Sequence, residues 1–252
     1  VGPSPDSLEL FGDKGRARAL AQQCGVPVLK GTDGPTTLAE AEAFRAANGP
    51  VMVKAVAGGG GRGMRPATTA EELAEAFERC ASEAKAAFGN GDLYVERFLS
   101  RARHLEVQVV GDGESVVHLW DRECSLQRQR QKVIEIAPAD TLPMAVRERL
   151  FGYATALGEA AGYRSLGTME FLVDGEDVVF IEGNARLQVE HTVTEEVTGL
   201  DLVRLQLQIA AGRSLADLAL TQDRVPEPRG HAVQARVNLE TMAADGSARP
   251  AG

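Results

Sequence analysis

The sequence predicts an α+β protein in which a small alternating unit precedes a larger antiparallel half. Two helices with strong start signals flank an apolar strand in the first part of the chain, an order typical of a compact α/β unit. Further along, two long apolar alternations fold back around glycine turns, which predicts antiparallel hairpins. The 252 residues are 44% hydrophobic, so the chain can bury a sizeable core in one or two domains.

The helices of the first unit begin at capping boxes. Thr37 and Glu40 have the spacing that starts one helix, and Thr69 and Glu72 have the same spacing at the other. Both helical patterns end near a glycine, as helices commonly do. The strands of this unit are predicted at residues 51–56 and 93–98.

The second half is predicted to contain hairpins separated by helices. One hairpin turns at residues 111–113 and the other at residues 174–175. Helices are expected at residues 145–161 and 200–211, and a further strand at residues 231–239. The remaining sequence is rich in turn residues and predicts no closing helix or strand.

Composition and charge exclude several classes of partner. The net charge of -9 argues against general binding to nucleic acid or to an anionic membrane. The sequence has no apolar run of the ~18 residues that a membrane span needs, and its first residues lack a signal-peptide pattern. Three scattered cysteines without ligand-like spacing indicate small buried thiols in a reduced compartment, so we expect a cytoplasmic protein.

Residues 58–63 contain the pattern G-x-G-x-x-G directly after the first strand. A dinucleotide fingerprint needs a helix at the third glycine, and Pro66 argues against one; the ending of a Walker A motif is also missing. The loop is therefore either a structural glycine turn or a loop whose bare N–H groups approach phosphate oxygens. In the second case Lys54, on the same strand face as Met52, points at the same anion. The candidate loop residues are Gly58, Gly59, Gly60 and Gly61.

Two glutamates flank the second hairpin. A three-residue loop with a bulged, left-handed Gly175 places Glu170 opposite Glu182 on one face, whereas a two-residue loop would separate them. Two carboxylates on an otherwise apolar ladder are costly unless a cation lies between them, and Mg²⁺ suits such a pair. The alternative is a pair of solvent-facing glutamates on the sheet.

A dense run of polar residues follows that hairpin. Arg186 offers a planar fork suited to a small oxyanion such as carbonate, and Glu190 is suited to accept a proton from it. An exposed polar loop is the alternative interpretation. The run contains Asn184, Arg186, Gln188, Glu190 and His191.

Nine sequence blocks, in order along nearly the whole chain, together resemble the central part of biotin carboxylase, the ATP-grasp subunit or domain of biotin-dependent carboxylases. The blocks are GPSPDSLELFGDK, VKAVAGGGGRGMR, YVERFL, RHLEVQVVGDG, RECSLQRQRQK, EIAPA, GTMEFL, FIEGNARLQVEHTVTEEVTGLDLV and GHAVQARVN.

The resemblance implies an ATP-grasp fold with a small lid and a larger antiparallel half, and with the flanking N- and C-terminal domains truncated. The implied parts are residues 1–27 as an entry segment from a missing N-terminal domain, 28–98 as the lid, 99–222 as the large subdomain, and 223–252 as the start of a truncated C-terminal domain.

The implied reaction is the ATP-dependent carboxylation of biotin by bicarbonate through carboxyphosphate. Its cofactors are ATP and Mg²⁺ or Mn²⁺, and biotin is the carrier-bound substrate. The implied partners are a biotin carboxyl carrier domain and a carboxyltransferase, which selects an acyl-CoA, pyruvate or another acceptor. We expect an oligomer in the full-length parent and neither nucleic acid nor membrane as a partner.

The resemblance also implies the roles of individual residues. The nucleotide is expected to contact the glycine loop, as part of the lid, and Lys14, Lys54, Glu96, Arg97, Leu99, His104 and Gln127. The metal ligands are expected to be Glu170 and Glu182 with Asn184 beside them. Bicarbonate is expected to contact Lys132, Arg186, Gln188 and the N–H of Val189, with Glu190 as its base and Arg236 stabilising the biotin enolate.

The chain departs from the family pattern at three positions. Arg130 replaces a histidine, Ala185 replaces a proline or threonine, and Gly183 replaces a methionine. The lost volume at Gly183 is expected to loosen the strand end that carries Glu182. Two other hypotheses stay open: a nucleotide-binding fragment or non-catalytic homologue with a structural role, and another ATP-grasp ligase such as a carbamoyl-phosphate synthetase domain.

Overall fold

The computed structural model describes residues 1–32, 34–57, 63–128, 131–244 and 248–250. Its helices and antiparallel sheets confirm the predicted α+β class. The helices are α1 (Pro5–Gly12), α2 (Lys14–Gln23), α3 (Leu38–Asn48), α4 (Ala70–Phe88), α5 (Met144–Ala160), α6 (His191–Thr198) and α7 (Leu202–Ala210), with a 3-10 turn at Gln222–Arg224. The strands are β1 (Val51–Ala55), β2 (Met64–Ala67), β3 (Leu93–Arg97), β4 (Arg103–Asp112), β5 (Val116–Arg128), β6 (Gln131–Ala137), β7 (Arg164–Asp174), β8 (Asp177–Asn184), β9 (Ala232–Ala235), β10 (Glu240–Met242) and β11 (Ala248–Pro250).

The small unit is a three-stranded antiparallel sheet covered by α3 and α4. Its strand order is β2-β1-β3, and its core is formed by side chains such as Val51, Val53, Leu73 and Val95. Both predicted capping boxes are present at the starts of α3 and α4. Strand β2, rather than a helix, follows the glycine-rich stretch and pairs with β1, as Pro66 predicts.

The large unit is a six-stranded antiparallel sheet with the order β8-β7-β4-β5-β6-β9. One face packs on α1, α2 and α5 through an apolar cluster that includes Leu105 and Phe171. On the opposite face α7 covers an apolar patch around Val110, and α6 contacts polar side chains. Because strand side chains alternate, Glu106 and Glu170 lie on this second face.

The β7–β8 hairpin pairs Glu170 with Glu182, as predicted, although the predicted route was wrong. Asp174 pairs with Asp177, so the loop has two residues rather than three. Ile181 is an extra residue in β8, because Phe171 pairs with Phe180 while Glu170 pairs with Glu182. This bulge moves the register by one residue and returns both carboxylates to one face.

The position of Gly183 is filled rather than loosened, which corrects the expectation from its missing side chain. A Cβ atom built there would lie 2.4 Å from Cδ1 of Phe11. The Phe11 ring on α1 is 5% exposed and also makes an edge contact with Tyr163. A bulky residue from the first helix therefore occupies the volume beside the strand end that carries Glu182.

The C-terminal part differs from the sequence prediction in two ways. The strand expected at residues 231–239 is the shorter β9, which pairs with β6 and completes the large sheet. The prediction that no later strand follows was wrong, since β10 pairs with β11. The subdomain boundaries stay a prediction. No helix among the described residues is long and apolar enough to cross a membrane.

Candidate active site

A cavity of about 710 Å³ lies between the small sheet and the large sheet. It brings together every predicted site residue that the structure describes. The glycine loop, Gly58–Gly61, and Arg130 lie outside the described residues. The predicted residues that line the cavity are Lys14, Lys54, Glu96, Arg97, Leu99, His104, Gln127, Lys132, Glu170, Glu182, Asn184, Arg186, Gln188, Val189, Glu190 and Arg236.

At the small-sheet end of the cavity, two cations meet one carboxylate. Lys54 on β1 forms an ion pair with Glu96 on β3, and these two residues lie on neighbouring strands. Arg18 on α2 donates to the same carboxylate at 2.8 Å. Arg18 was missed by the sequence analysis, although its i,i+4 spacing from Lys14 places both side chains on one face of α2.

A histidine links Gln127 on β5 to Glu170, one member of the carboxylate pair. The side-chain amide nitrogen of Gln127 lies 2.9 Å from Nδ1 of His104 and donates to the carbonyl of Cys124. The other ring nitrogen, Nε2, lies 2.5 Å from Oε2 of Glu170. His104 is therefore held on both sides, between the expected ribose site and the expected metal site.

Glu170 is almost completely surrounded by donors. Its Oε1 accepts hydrogen bonds from Lys132 at 2.9 Å, Asn184 at 2.8 Å and Gln188 at 3.1 Å. Burial alone would raise the pKa of this carboxyl, but the His104 hydrogen bond and the Lys132 charge outweigh it and hold the pKa well below its usual range. The carboxylate is therefore ionised at neutral pH.

The donor set around Glu170 fits a hard divalent cation. Glu170 and Glu182 face the cavity from paired strands, and Asn184 hydrogen-bonds to both of them. Two carboxylates and an amide suit Mg²⁺, which prefers oxygen ligands and keeps other positions for phosphates and water. Among the described residues, no group of three or more His, Cys, Asp and Glu side chains has metal-binding geometry. Complete coordination would therefore require oxygens from nucleotide or water.

Lys132 on β6 is held by three carboxylates. It contacts Glu106, Glu170 at 2.9 Å and Glu190 at 2.7 Å. Burial lowers the pKa of Lys132, but the negative charges of Glu106 and Glu170 raise it more, so the ammonium group stays charged. Its position joins the expected metal site to the expected bicarbonate base.

A buried network below Lys132 was missed by the sequence analysis. Arg122 is fully buried and forms an ion pair with Glu106. Its guanidinium also donates to Gln108 at 2.8 Å and to Thr194 at 2.9 Å. The bonds to Gln108 and Thr194 hold Arg122 in place, and Arg122 holds the carboxylate of Glu106. Glu106 in turn holds the ammonium group of Lys132. The signal was the polar pair Glu106 and Gln108 inside an otherwise apolar strand.

The polar run after β8 is not simply an exposed loop. Gln188 and Glu190 are buried, while Arg186 and Val189 are exposed to the cavity and solvent. Burial raises the pKa of Glu190, but the charge and hydrogen bond of Lys132, a backbone hydrogen bond and the charge of Arg122 together outweigh burial and lower it, so Glu190 is an ionised acceptor. Arg236 lines the same part of the cavity, and its N–H donates to the carbonyl of Val133.

Comparisons with known proteins identify relatives of this chain. Residues 13–218 match the family model described as carbamoyl-phosphate synthase L chain, ATP binding domain. Pyruvate carboxylase from Aspergillus niger is 53% identical over 244 residues, which are 95% of this chain and 20% of that protein. Human mitochondrial pyruvate carboxylase is 51% identical over 247 residues, 96% of this chain and 21% of that protein.

The chain belongs to the biotin carboxylase family. A biotin carboxylase from Campylobacter jejuni in a β-γ-ATP complex superposes with a TM-score of 0.87 at 40% identity, covering 96% of this chain and 54% of that one. The biotin carboxylase domain of 2-oxoglutarate carboxylase from Hydrogenobacter thermophilus, solved with MgADP and bicarbonate, has a TM-score of 0.87 at 42% identity, covering 95% and 53%. The predicted ATP-grasp fold is thereby confirmed.

The chain spans about a fifth of the pyruvate carboxylases and about half of the solved biotin carboxylase chains. The matching family model carries the name of carbamoyl-phosphate synthase, which is the ligase considered as an alternative from sequence. At about 50% identity, however, the relatives are pyruvate carboxylases. These relatives favour the biotin carboxylase branch of the fold over that alternative.

Proposed function

We propose that this chain binds MgATP and carboxylates biotin with bicarbonate through carboxyphosphate, as the biotin carboxylase part of a biotin-dependent carboxylase. The observation that carries this proposal is the placement of Lys132. Its ammonium group bridges Glu170 of the candidate metal pair and Glu190, the candidate base, within one cavity. Nucleotide chemistry and bicarbonate chemistry would then take place at adjoining positions.

The small-sheet end of the cavity is the proposed nucleotide site. Lys14 and Lys54 bind phosphate oxygens, and the adenine lies against the segment from Glu96 to Leu99. His104 and Gln127 lie near the ribose. The lid role of Gly58–Gly61 belongs to the same proposal, since glycine N–H groups can approach phosphate closely.

Glu170 and Glu182 are the proposed magnesium ligands, with Asn184 beside them. When bound, Mg²⁺ neutralises phosphate charge and orients the transferred phosphoryl group. The protein contributes a fixed ligand set, because His104 and Gln188 hold Glu170 in one orientation. That orientation is set before any nucleotide arrives.

Lys132, Arg186 and the neighbouring groups of Gln188 and Val189 form the proposed bicarbonate site. Positive charge from Lys132 and Arg186 offsets the repulsion between bicarbonate and the γ-phosphate. Glu190 is ionised and accepts the bicarbonate proton, which makes the remaining oxyanion a better nucleophile toward phosphorus. Arg236 stabilises the enolate form of biotin. Its N1′ attacks the carboxyl carbon of carboxyphosphate, and phosphate leaves.

The proposal extends to the parent protein. It includes a biotin carboxyl carrier domain, a carboxyltransferase and an oligomeric assembly. Relatives are named for pyruvate and 2-oxoglutarate carboxylation, and another solved relative is a long-chain acyl-CoA carboxylase. A cytoplasmic location stays a prediction, since the human relative is named as mitochondrial.

Phosphate release from MgATP tests the function. We expect release by this chain to rise with bicarbonate and to rise further with free biotin. Glu190→Gln should abolish the bicarbonate-dependent part, because it removes the base at nearly constant volume. Glu196→Gln is the matched control, since Glu196 is an exposed glutamate six residues further along. Phosphate release that does not change with bicarbonate, or that is equal in Glu190→Gln and Glu196→Gln, contradicts the proposed reaction.

A further inference from the structure

Arg18, Glu96 and Lys54 form a contact between three separate elements of the fold. Arg18 belongs to α2, Glu96 to the edge strand β3, and Lys54 to the central strand β1 of the small sheet. Arg18 donates to Oε1 of Glu96 at 2.8 Å, and Lys54 pairs with Oε2. The carboxylate is 4% exposed, so it depends on these cations rather than on water.

Arg18 also contacts the two segments at which the chain enters and leaves the small unit, at Leu29 and Glu96. Its second terminal nitrogen donates to the carbonyl of Leu29 at 2.8 Å. The segment after Leu29 runs beside Glu96, because Gly31 forms a bridge with Glu96 and a Cβ atom at Gly31 would lie 2.9 Å from Glu96 Cγ. One guanidinium therefore holds both connecting segments at the junction of the two units.

The shared carboxylate has a consequence for nucleotide binding. Lys54 is a proposed phosphate ligand, yet in this structure it is paired with Glu96. For Lys54 to turn toward a phosphate, Glu96 must give up one cation while it stays buried. An unpaired buried carboxylate is costly, and the hydrogen-bonded Arg18 removes that cost.

We propose that Arg18 is a positioning residue that keeps Glu96 paired when Lys54 transfers to the nucleotide phosphates. The inference deepens the proposed function and rests on it. Arg18 touches neither phosphate nor metal in this role. It acts by making Lys54 available, and by holding Glu96 and Leu29 where the adenine is expected.

The test compares Arg18→Met with Arg16→Met in the full chain. Arg16 lies two positions away on α2, is exposed, and its guanidinium lies 3.6 Å from the carboxylate of Glu9. In Arg18→Met, Lys54 is the remaining cation on Glu96, so the pair competes with phosphate. We expect the Kd for MgADP, measured by calorimetry, to rise about tenfold, and to stay within about threefold of wild type in Arg16→Met.

A second substitution separates positioning from simple loss of structure. Adding Glu96→Gln to Arg18→Met removes the competing carboxylate, so the double variant should bind MgADP more tightly than Arg18→Met does. Glu96→Gln alone is measured beside it, because Glu96 is itself expected to contact the nucleotide. Arg18→Lys provides a milder variant that keeps one positive charge while giving up the forked contact to Glu96 and Leu29. It should weaken MgADP binding less than Arg18→Met does.

The outcomes are distinct. Equal MgADP affinity in wild type, Arg18→Lys and Arg18→Met overturns the role of Arg18 while leaving the proposed function in place. A weakened Arg18→Met that Glu96→Gln does not rescue also overturns it, because a purely structural role predicts that result. If wild type itself binds no MgADP, the proposed function fails and the inference fails with it.

Discussion

The two ends of the cavity hold a lysine in different ways. At the small-sheet end, Lys54 contacts a carboxylate that Arg18 shares. At the large-sheet end, Lys132 contacts the carboxylates of Glu106, Glu170 and Glu190. Lys132 is next to the buried Arg122 network, whereas Lys54 lies on a small three-stranded sheet.

The difference indicates that the ion pair of Lys54 is easier to break than those of Lys132. Moving Lys54 breaks one ion pair whose carboxylate keeps Arg18 as a partner. Under the proposed function, Lys54 at this end exchanges Glu96 for a nucleotide phosphate. Moving Lys132 would leave three converging carboxylates without their shared cation, which is strongly unfavourable. The carboxylate end is therefore preorganised, and the small-sheet end, where we propose that the nucleotide binds, is adjustable.

The largest effect is expected from Lys132→Met. Removing the cation should destabilise the fold by about 3–5 kcal/mol, the usual cost of breaking a buried ion pair. Urea unfolding followed by circular dichroism measures it, with Lys30→Met as control because Lys30 is an exposed lysine. A loss below about 1 kcal/mol would mean that the three carboxylates are hydrated and that this end is not preorganised.

The next effect concerns the packing that supports the carboxylate end. Phe11→Ala should cost about 3 kcal/mol of unfolding free energy, since a buried ring is removed from beside Gly183. Gly183→Ala should also destabilise the wild type, because its Cβ would clash with Phe11. The double variant should lose less unfolding free energy than the two single variants lose in total, because the new methyl group enters the space that Phe11 vacated. Additive losses would show that Phe11 does not fill the volume at Gly183.

Lys54→Met should affect binding rather than stability. Glu96 keeps Arg18 as its partner, so we expect the urea midpoint to change little. The Kd for MgADP should rise about tenfold, equivalent to 1.4 kcal/mol, because a phosphate ligand is lost. Calorimetry on both proteins measures the affinity. A large loss of stability with unchanged affinity would reverse the contrast between the two lysines.

The smallest effect is a difference in acid sensitivity. Burial raises the pKa of Glu190, but its hydrogen bonds and the charges of Lys132 and Arg122 together lower that pKa below the usual range of a glutamate. A depressed carboxyl pKa contributes stability that is fully present above the unfolded pKa and is lost as pH falls through the folded pKa. Glu190→Gln lacks this contribution, so its urea midpoint should fall less than that of wild type between about pH 5 and pH 3. Equal slopes would place Glu190 outside the carboxylate cluster.

Local signals in the sequence predicted the fold well. The capping boxes at Thr37 and Thr69 and the glycine turn at Gly175 depend on neighbours within a few residues, so they are visible without tertiary contacts. The bulge at Ile181 was not visible, because its hydrophobic side chain keeps the apolar pattern of the strand. The pairing of Glu170 with Glu182 was thus predicted through the wrong turn.

The parts of the site that sequence reasoning missed depend on distant partners. Glu106 reads as a polar interruption in a strand until Arg122 on the next strand is known to pair with it. Phe11 and Gly183 lie on α1 and β8, so a missing side chain on one looked like a void until the other filled it. Arg18 had a local signal in its spacing from Lys14, but its partner Glu96 lies on β3.

The most direct test of the two-ended site is a crossed comparison of Lys54→Met and Glu190→Gln. For each variant, MgADP affinity and bicarbonate-stimulated phosphate release at saturating MgATP are measured beside wild type. We expect Lys54→Met to weaken MgADP binding about tenfold, whereas Glu190→Gln should bind MgADP normally but lose the bicarbonate stimulation. If Glu190→Gln weakens MgADP binding as much as Lys54→Met, or retains the stimulation, the separation into nucleotide and bicarbonate ends is wrong.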